Sequence, residues 1–320
     1  MRILTYYPNC SKGGVTSVLR GRATGNPECR IDAIFSNERG GRPSLESLDN
    51  VAVRIVRKDR VKTYLEYLTS KVDYDEIRVL SSPEVANCLA AIDSNAVSYE
   101  FHSSDWGVVE NEIRQLDCDR LSRVIVPSME SYRAVSAMLP KRLIPRLSIE
   151  PNSVDVVSFN RNGDRSFLSR FADDGPFTPL VWVGRFDKGK GCDYVPRILA
   201  KLPERYQVFM VVSLETDPER AGRFLYECDA AGVGERVHVL MNLAPNDLGN
   251  LYRSASDMEG WFLSTSLMES FGYAVREAME CGLRVASFRL PVFEELIESE
   301  LYHPIPVGDT SATARLIMQG

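Results

Sequence analysis

Short runs rich in β-branched and aromatic residues recur along the chain and alternate with stretches whose apolar positions fall at helical spacing. The alternation predicts strands at 2–7, 31–35, 51–56, 77–80, 97–101 and 123–127 in the first half. In the second half it predicts strands at 180–183, 207–212, 237–240, 261–264 and 284–288. Strand and helix alternating from end to end is the pattern of α/β folding with parallel sheets. Between the halves, 158-SFNRNGDRSFLSRFADDGPFTP-179 is polar and rich in Gly and Pro, which predicts a linker region. The expected organisation is an N-terminal Rossmann-like domain over 1–157, a linker over 158–179, a second Rossmann-like domain over 180–305 and a C-terminal segment over 306–320. Two such domains in tandem imply parallel sheets facing a central cleft, where the carboxyl ends of strands meet a ligand.

A length of 320 residues suits two domains, and 44% hydrophobic with 26% charged residues is a soluble globular composition. Uninterrupted apolar runs such as 208-VFMVV-212 fall far short of the roughly 20 residues of a membrane span, and 1-MRILTYYP-8 lacks the apolar core of a signal peptide. The expected location is therefore cytoplasmic. The net charge of −6 is unevenly placed: residues 1–150 carry 21 Lys+Arg against 20 Asp+Glu, and residues 151–320 carry 17 against 24. That balance argues against a nucleic-acid partner. The basic stretches 54-RIVRKDRVK-62 and 141-KRLIPR-146 could make a weak peripheral contact with an acidic lipid surface, or form a solvated face. Cys10, Cys29, Cys88, Cys118, Cys192, Cys228 and Cys281 are odd in number and never form C-x-x-C, against both a disulfide framework and a zinc site.

Several stretches carry candidate chemistry. In 180-LVWVGRFDKGKGCDYVPRILAKL-202 a strand runs into a Gly- and Lys-rich turn and then an amphipathic helix. The turn offers backbone N–H groups to an anion, and Arg185 and Lys190 add positive charge; the alternative is a glycine-permitted turn with solvated charges. It nearly fits the P-loop pattern, but Gly191 stands where Ser or Thr should hold magnesium. In 8-PNCSKGGVTSVLR-20, Gly13 and Gly14 lead from the first strand into a helix without the dinucleotide fingerprint; the pair is a tight turn or a place where a ligand meets backbone. His102 follows the fifth strand, whereas His238 and His303 have weaker claims. The triplets 73-DYD-75 and 117-DCD-119 could hold a metal, but they precede strands rather than follow them. Finally, 268-MESFGYAVREAMECG-282 places Glu269 and Glu277 around a helix expected to start near Phe271, with Glu277 roughly opposite the apolar stripe.

The turn 184-GRFDKGKG-191 and the stretch 269-ESFGYAVREAMECGLRVAS-287 together resemble the retaining nucleotide-sugar glycosyltransferases of glycosyltransferase family 4, with their E-x7-E motif. The resemblance implies the GT-B fold: two Rossmann-like domains, the first on the acceptor side and the second binding the nucleotide-sugar donor. It implies that Arg185 and Lys190 bind the donor diphosphate and that Glu277 accepts hydrogen bonds from the ribose. It implies further that Glu269, with the backbone of Ser270, Phe271 and Gly272, holds the transferred sugar. By the same resemblance Gly13 and Gly14 approach the donor, His102 lies near the reacting centre, and the loop holding Met241 and Asn242 approaches the base. Catalysis would rest on Glu269, His102, Arg185 and Lys190, with no metal and no cofactor. The donor would be a UDP- or GDP-sugar, and the acceptor a small molecule, a glycan or a lipid-linked molecule. Departures are Ser153 for the usual Gly, Thr265 where the family often has Pro, and Arg284 for a Pro. Two other readings share the motif: a sugar-nucleotide 2-epimerase and a catalytically silent GT-B protein that only binds.

Overall fold

All eleven expected strands take places in two sheets, and every strand pairing in both sheets is parallel. The computed structural model describes residues 1–93, 96–172, 175–212 and 218–320. The chain divides into two units, Met1–Asp155 and Val156–Gly320.

The first unit runs β1 (Arg2–Ser11), α1 (Gly14–Gly25), β2 (Arg30–Arg39), α2 (Arg42–Glu46), β3 (Val51–Ile55), α3 (Val61–Lys71), β4 (Glu76–Leu80) and α4 (Pro83–Ile92). It continues through β5 (Val97–Glu100), α5 (Trp106–Gln115), β6 (Arg123–Val126), α6 (Met129–Met138) and β7 (Leu147–Ile149). The sheet order is β3-β2-β1-β4-β5-β6-β7, so the direction of winding reverses between β1 and β4. Side chains alternate across the sheet with period two. Leu4, Tyr6, Ile77, Val79, Val97 and Tyr99 join one core with α3 to α6, whereas Ile3, Ile31, Ala33 and Phe35 join a second core with Leu19 and Ala23 of α1.

On that second side, β4 and β5 present charge instead of apolar groups. Glu100 is fully buried, and Arg78 is 5% exposed. Arg22 of α1 donates to both carboxylate oxygens of Glu100 at 3.0 and 2.8 Å, and Arg78 donates at 3.1 Å. Arg78 also holds Glu76 and Glu150, and Arg123 holds Glu150. Burial alone would raise the pKa of Glu100, but Arg22, His102 and Arg78 together hold it well below the ordinary carboxylate range.

The second unit runs β8 (Thr178–Gly184), α7 (Tyr194–Leu199), β9 (Tyr206–Val212), α8 (Pro218–Ala230), β10 (Val237–Met241) and α9 (Pro245–Asp257). It closes with β11 (Trp261–Ser264), α10 (Tyr273–Glu280), β12 (Arg284–Phe288), α11 (Pro291–Leu296), β13 (Tyr302–Ile305) and α12 (Thr310–Gln319). Its order is β10-β9-β8-β11-β12-β13, with the reversal between β8 and β11. The stretch 158–179, expected as a linker, packs onto this unit, apart from Asp173 and Asp174, which lie outside the described residues. Phe159, Leu168 and Phe177 are buried, and Arg253 of α9 donates to the carbonyls of Ser158, Asn160 and Asp164. Residues 161–166 are exposed, and the buried apolar residues together with the carbonyls served by Arg253 tie the stretch to this unit. The C-terminal segment forms α12, whose Ala314 and Ile317 enter the core.

A buried carboxylate serving two arginines predicts a specific acid response. Glu100→Gln should cost about 3–5 kcal/mol at pH 7, because it leaves buried guanidinium charge short of its partner. A carboxylate with a depressed folded-state pKa contributes stability above its ordinary value near 4.5, and that contribution is lost as pH falls toward the folded value. Urea titrations from pH 7 to pH 3 should therefore show the gap between wild type and variant narrowing below about pH 4.5. A gap constant over that range would rule out an ionised Glu100.

Candidate functional site

Because each sheet is wholly parallel, the turn after every strand opens at the same edge of its sheet, and ligands favour the edge near a reversal of winding. In the second unit that reversal is flanked by the turns after β8 and β11, the two stretches singled out in the sequence.

Those turns are joined by several contacts. Asp187 caps the first one, its Oδ1 accepting from the Lys190 backbone N–H at 2.9 Å while its Oδ2 accepts from Arg185 Nε at 2.9 Å. Gly189 O accepts from Leu267 N at 2.8 Å. The Thr265 hydroxyl donates to Lys190 O at 3.0 Å and accepts from the Trp182 indole N–H at 2.9 Å. A proline at 265 could make neither bond, which gives this departure from the family pattern a structural reason. Gly191 has φ 60°, and a Cβ there would stand 2.2 Å from Thr265 O, so the close approach of the two turns requires glycine.

The charged groups converge across this seam. Lys190 Nζ donates to Glu269 Oε1 at 2.5 Å, and Ser266 Oγ donates to the same oxygen at 2.8 Å. Arg185 is half exposed. Phe271 is buried under the Arg276 guanidinium, 4.5 Å from its ring centroid. Gly272 has φ 76°, and a Cβ there would stand 2.1 Å from the Phe293 ring. That left-handed residue delays the helix: α10 starts at Tyr273, not near Phe271. Glu277 is correspondingly not on a solvated flank. It is 6% exposed, close enough to the buried Tyr252 that, after burial itself, its charge raises the phenol well above its ordinary pKa. The neighbouring α9 covers the flank that helix periodicity alone would leave open. Met241 is exposed at the end of β10, and Asn242 follows in the left-handed region at φ 56°, a conformation Asn tolerates.

In the first unit β1 runs on to Ser11, beyond the expected end at residue 7, so Gly13 and Gly14 lie directly at its carboxyl end. Gly13 has φ −124° and offers no side-chain cap to α1. A Cβ on Gly14 would meet nothing within 4 Å. Neither glycine is demanded by backbone conformation, which favours the open-approach reading over the tight turn. His102 follows β5, its Nε2 2.7 Å from Glu100 Oε2. A cavity of about 580 Å³ lies at this unit's winding reversal, lined by Tyr6, Lys58, Lys62, Ser82 and Glu84 among others.

The remaining candidates take structural roles. His238 stacks on Phe209 and His303 lies against Trp261, and burial lowers the pKa of both. Asp75 accepts from the Arg2 backbone N–H, while Asp117 and Asp119 pair with Arg120 and Arg142. Among the described residues no group of His, Cys, Asp or Glu could hold a metal ion. All seven cysteines are free, and six are buried. No helix among the described residues is long and apolar enough to cross a membrane. The residues the sequence reading missed are Glu100, Arg22, Arg78 and Ser266, and Thr265, noted there only as a departure, proves to join the two turns; a glutamate inside the strand run 97-VSYEF-101 was the available signal.

Residues 172–317, nearly the whole second unit, match the family described as Glycosyl transferases group 1. A human phosphatidylinositol N-acetylglucosaminyltransferase component is 24% identical over 272 residues, covering 74% of this chain and 55% of that protein. The chain thus spans about half the length of that relative. Among solved structures, Anabaena Alr3699/HepE in complex with UDP and glucose superposes with a TM-score of 0.83 at 18% identity, covering 99% of this chain and 89% of that one. Sucrose-phosphate synthase from Thermosynechococcus elongatus gives 0.73 at 17% identity, covering 100% and 89%. The fold is GT-B, with two Rossmann-like α/β units.

The glycines separate folding from function. Gly191→Ala and Gly272→Ala should each cost more than the roughly 1–2 kcal/mol of a left-handed alanine, because a steric overlap adds to it. Gly14→Ala should leave stability unchanged or raise it by up to about 1 kcal/mol. Urea midpoints at constant m value test this; equal losses in all three variants would show that the Gly13–Gly14 loop serves folding.

Proposed function

We propose that this chain is a retaining glycosyltransferase that moves a sugar from a UDP- or GDP-sugar to an acceptor hydroxyl in the cytoplasm, without a metal ion. The observation that carries the reading is the contact of Lys190 with Glu269 beside Arg185, at the winding reversal of a unit that matches the group 1 glycosyl transferases. UDP is favoured among donors by the likeness to HepE, solved with UDP and glucose.

Cleavage of the sugar–phosphate bond gathers charge on the departing diphosphate. Fixed positive charge and backbone N–H groups aimed at that charge lower the barrier most, since they need no rearrangement as it develops. Arg185 and Lys190 supply the charge. On donor binding Lys190 exchanges Glu269 for a phosphate oxygen, and Glu269 turns to the hydroxyls of the sugar. Ser270, Phe271 and Gly272 contribute the backbone ahead of α10, where the helix dipole favours an anion. Glu277, already desolvated on α10, accepts from the ribose hydroxyls. The leaving phosphate takes the acceptor's proton on the same face of the sugar, so configuration is retained. The cavity of the first unit, which opens at the same edge as Gly13 and Gly14, is the candidate acceptor site.

A thermal-shift screen against UDP, GDP, ADP and TDP and their sugars identifies the donor, since a ligand at 100 times its dissociation constant stabilises by about 2.7 kcal/mol. With that donor, Arg185→Ala and Lys190→Ala should each lose about 2–4 kcal/mol of transition-state stabilisation. Glu269→Gln should mainly lower kcat, and Glu277→Gln should mainly raise the donor KM. Both arginine and lysine variants turning over at the wild-type rate would exclude this anion site. Donor binding without transfer would support a catalytically silent binding protein, and a new nucleotide sugar formed without acceptor would support an epimerase.

Transfer should also persist in EDTA. Loss of activity in chelator, restored by manganese or magnesium, would overturn the metal-free mechanism.

A further inference from the structure

The buried glutamate at the end of β5 has a second consequence. Period-two alternation carries Ser98, Glu100 and His102 to one side of the strand and its extension, and Tyr99 and Phe101 to the core on the other. The ring of His102 therefore folds back over the carboxylate two residues before it. Both oxygens of Glu100 are engaged: Oε1 accepts from Arg22 and Arg78, and Oε2 accepts from Arg22 at 2.8 Å and lies 2.7 Å from His102 Nε2.

With two guanidinium groups bonded to it, Glu100 is ionised and can only accept hydrogen bonds. The short contact with His102 then has one possible polarity: Nε2 carries the proton and donates. In the neutral ring that leaves the lone pair on Nδ1. Nδ1 has no partner among the described residues, and His102 begins the turn at the carboxyl edge of the sheet. The three arginines of this cluster, Arg22, Arg78 and Arg123, are already matched by Glu76, Glu100 and Glu150. The ring is not needed for charge balance.

We propose that Glu100 is a positioning residue that fixes His102 as the Nε2–H tautomer and turns the Nδ1 lone pair to the carboxyl edge of the first unit, to accept a hydrogen bond from a substrate hydroxyl. The proposal rests on the reading above that His102 stands at the reacting centre. A histidine left to itself samples both tautomers and several ring orientations; here the carboxylate removes that freedom before substrate arrives, as a second group does for a histidine in many sites. Arg22 links this device to α1, so the helix that begins at the Gly13–Gly14 loop also holds the anchor of His102.

The test is long-range 1H–15N correlation on the full chain labelled at its three histidines, with His102 assigned by its loss in His102→Gln. At a pH where the ring is neutral, wild type should show protonated Nε2 and unprotonated Nδ1. The opposite tautomer, or an even mixture, overturns the proposal without reference to any activity. In Glu100→Gln the preference should collapse and kcat should fall about 10–100-fold, a fraction of what a proton-accepting group contributes, with donor KM within about twofold of wild type. Unchanged tautomer in a folded Glu100→Gln overturns it as well. Should that variant fail to fold, Glu100→Asp keeps the charge for the arginines while shortening the reach to the ring, and the same two readouts apply. His102→Gln turning over at the wild-type rate would remove His102 from the reaction but leave the transferase reading intact. By contrast, no stabilisation of wild type by any nucleotide sugar would remove that reading while the tautomer result stood.

Discussion

Every strand in each sheet runs in one direction, and the placement of the candidate residues depends on that constraint. A parallel sheet cannot be closed by hairpins, so each strand must return through a helix, and each helix must begin at the same edge. Backbone N–H groups left over at helix starts therefore collect along that edge, as do the side chains of the turns before them. Gly13, Gly14 and His102 reach it in one unit, and Arg185, Lys190, Asn242 and Glu269 reach it in the other. Residues nearly 80 positions apart in the sequence, such as Lys190 and Glu269, meet because β8 and β11 are neighbours where the winding reverses.

Neighbouring strands alone would not hold two turns in register. The second unit adds the Thr265 hydroxyl between Trp182 and Lys190, the Gly189–Leu267 backbone bond, and a glycine at 191 that lets one backbone rest on the other. These contacts fix the seam with neutral groups, and the charges of Arg185, Lys190 and Glu269 are paired separately beside it. The first unit uses the reverse arrangement. There the fixed framework is itself ionic and buried, and the group it holds at the edge is a single imidazole.

What was legible in the sequence followed from local pattern. Runs of β-branched and aromatic residues announce strands, so the eleven strands, edge strands β3 and β10 included, and the two-sheet organisation could be read directly. The two strands that were not read, β7 and β13, are edge strands of three and four residues, and β13 contains Pro304, whose missing N–H an edge position tolerates. The stretch 158–179 looked like a linker because its partners, Arg253 above all, lie about 90 residues further on. The Glu100 network was hidden for the same reason, since Arg22 and Glu150 come from opposite ends of the unit. Arg185, Lys190, Glu269 and Glu277 were visible as a spaced motif. The burial of Glu277 was not visible, because helix periodicity describes one helix and α9 does the covering.

Under the proposed reading, the pairing of Lys190 with Glu269 would bear on which anions the site ignores. A lone inorganic phosphate that drew the ammonium away would strand a carboxylate that is 16% exposed, with the Ser266 hydroxyl as its remaining hydrogen-bond partner among the described residues. Its gain at the lysine would be offset by that loss. A molecule bearing both a diphosphate and a neighbouring set of hydroxyls satisfies both groups at once. If the proposed donor site is taken as the premise, the internal ion pair would act as a filter: it would raise the threshold for competitors that carry charge alone, without any group dedicated to rejecting them.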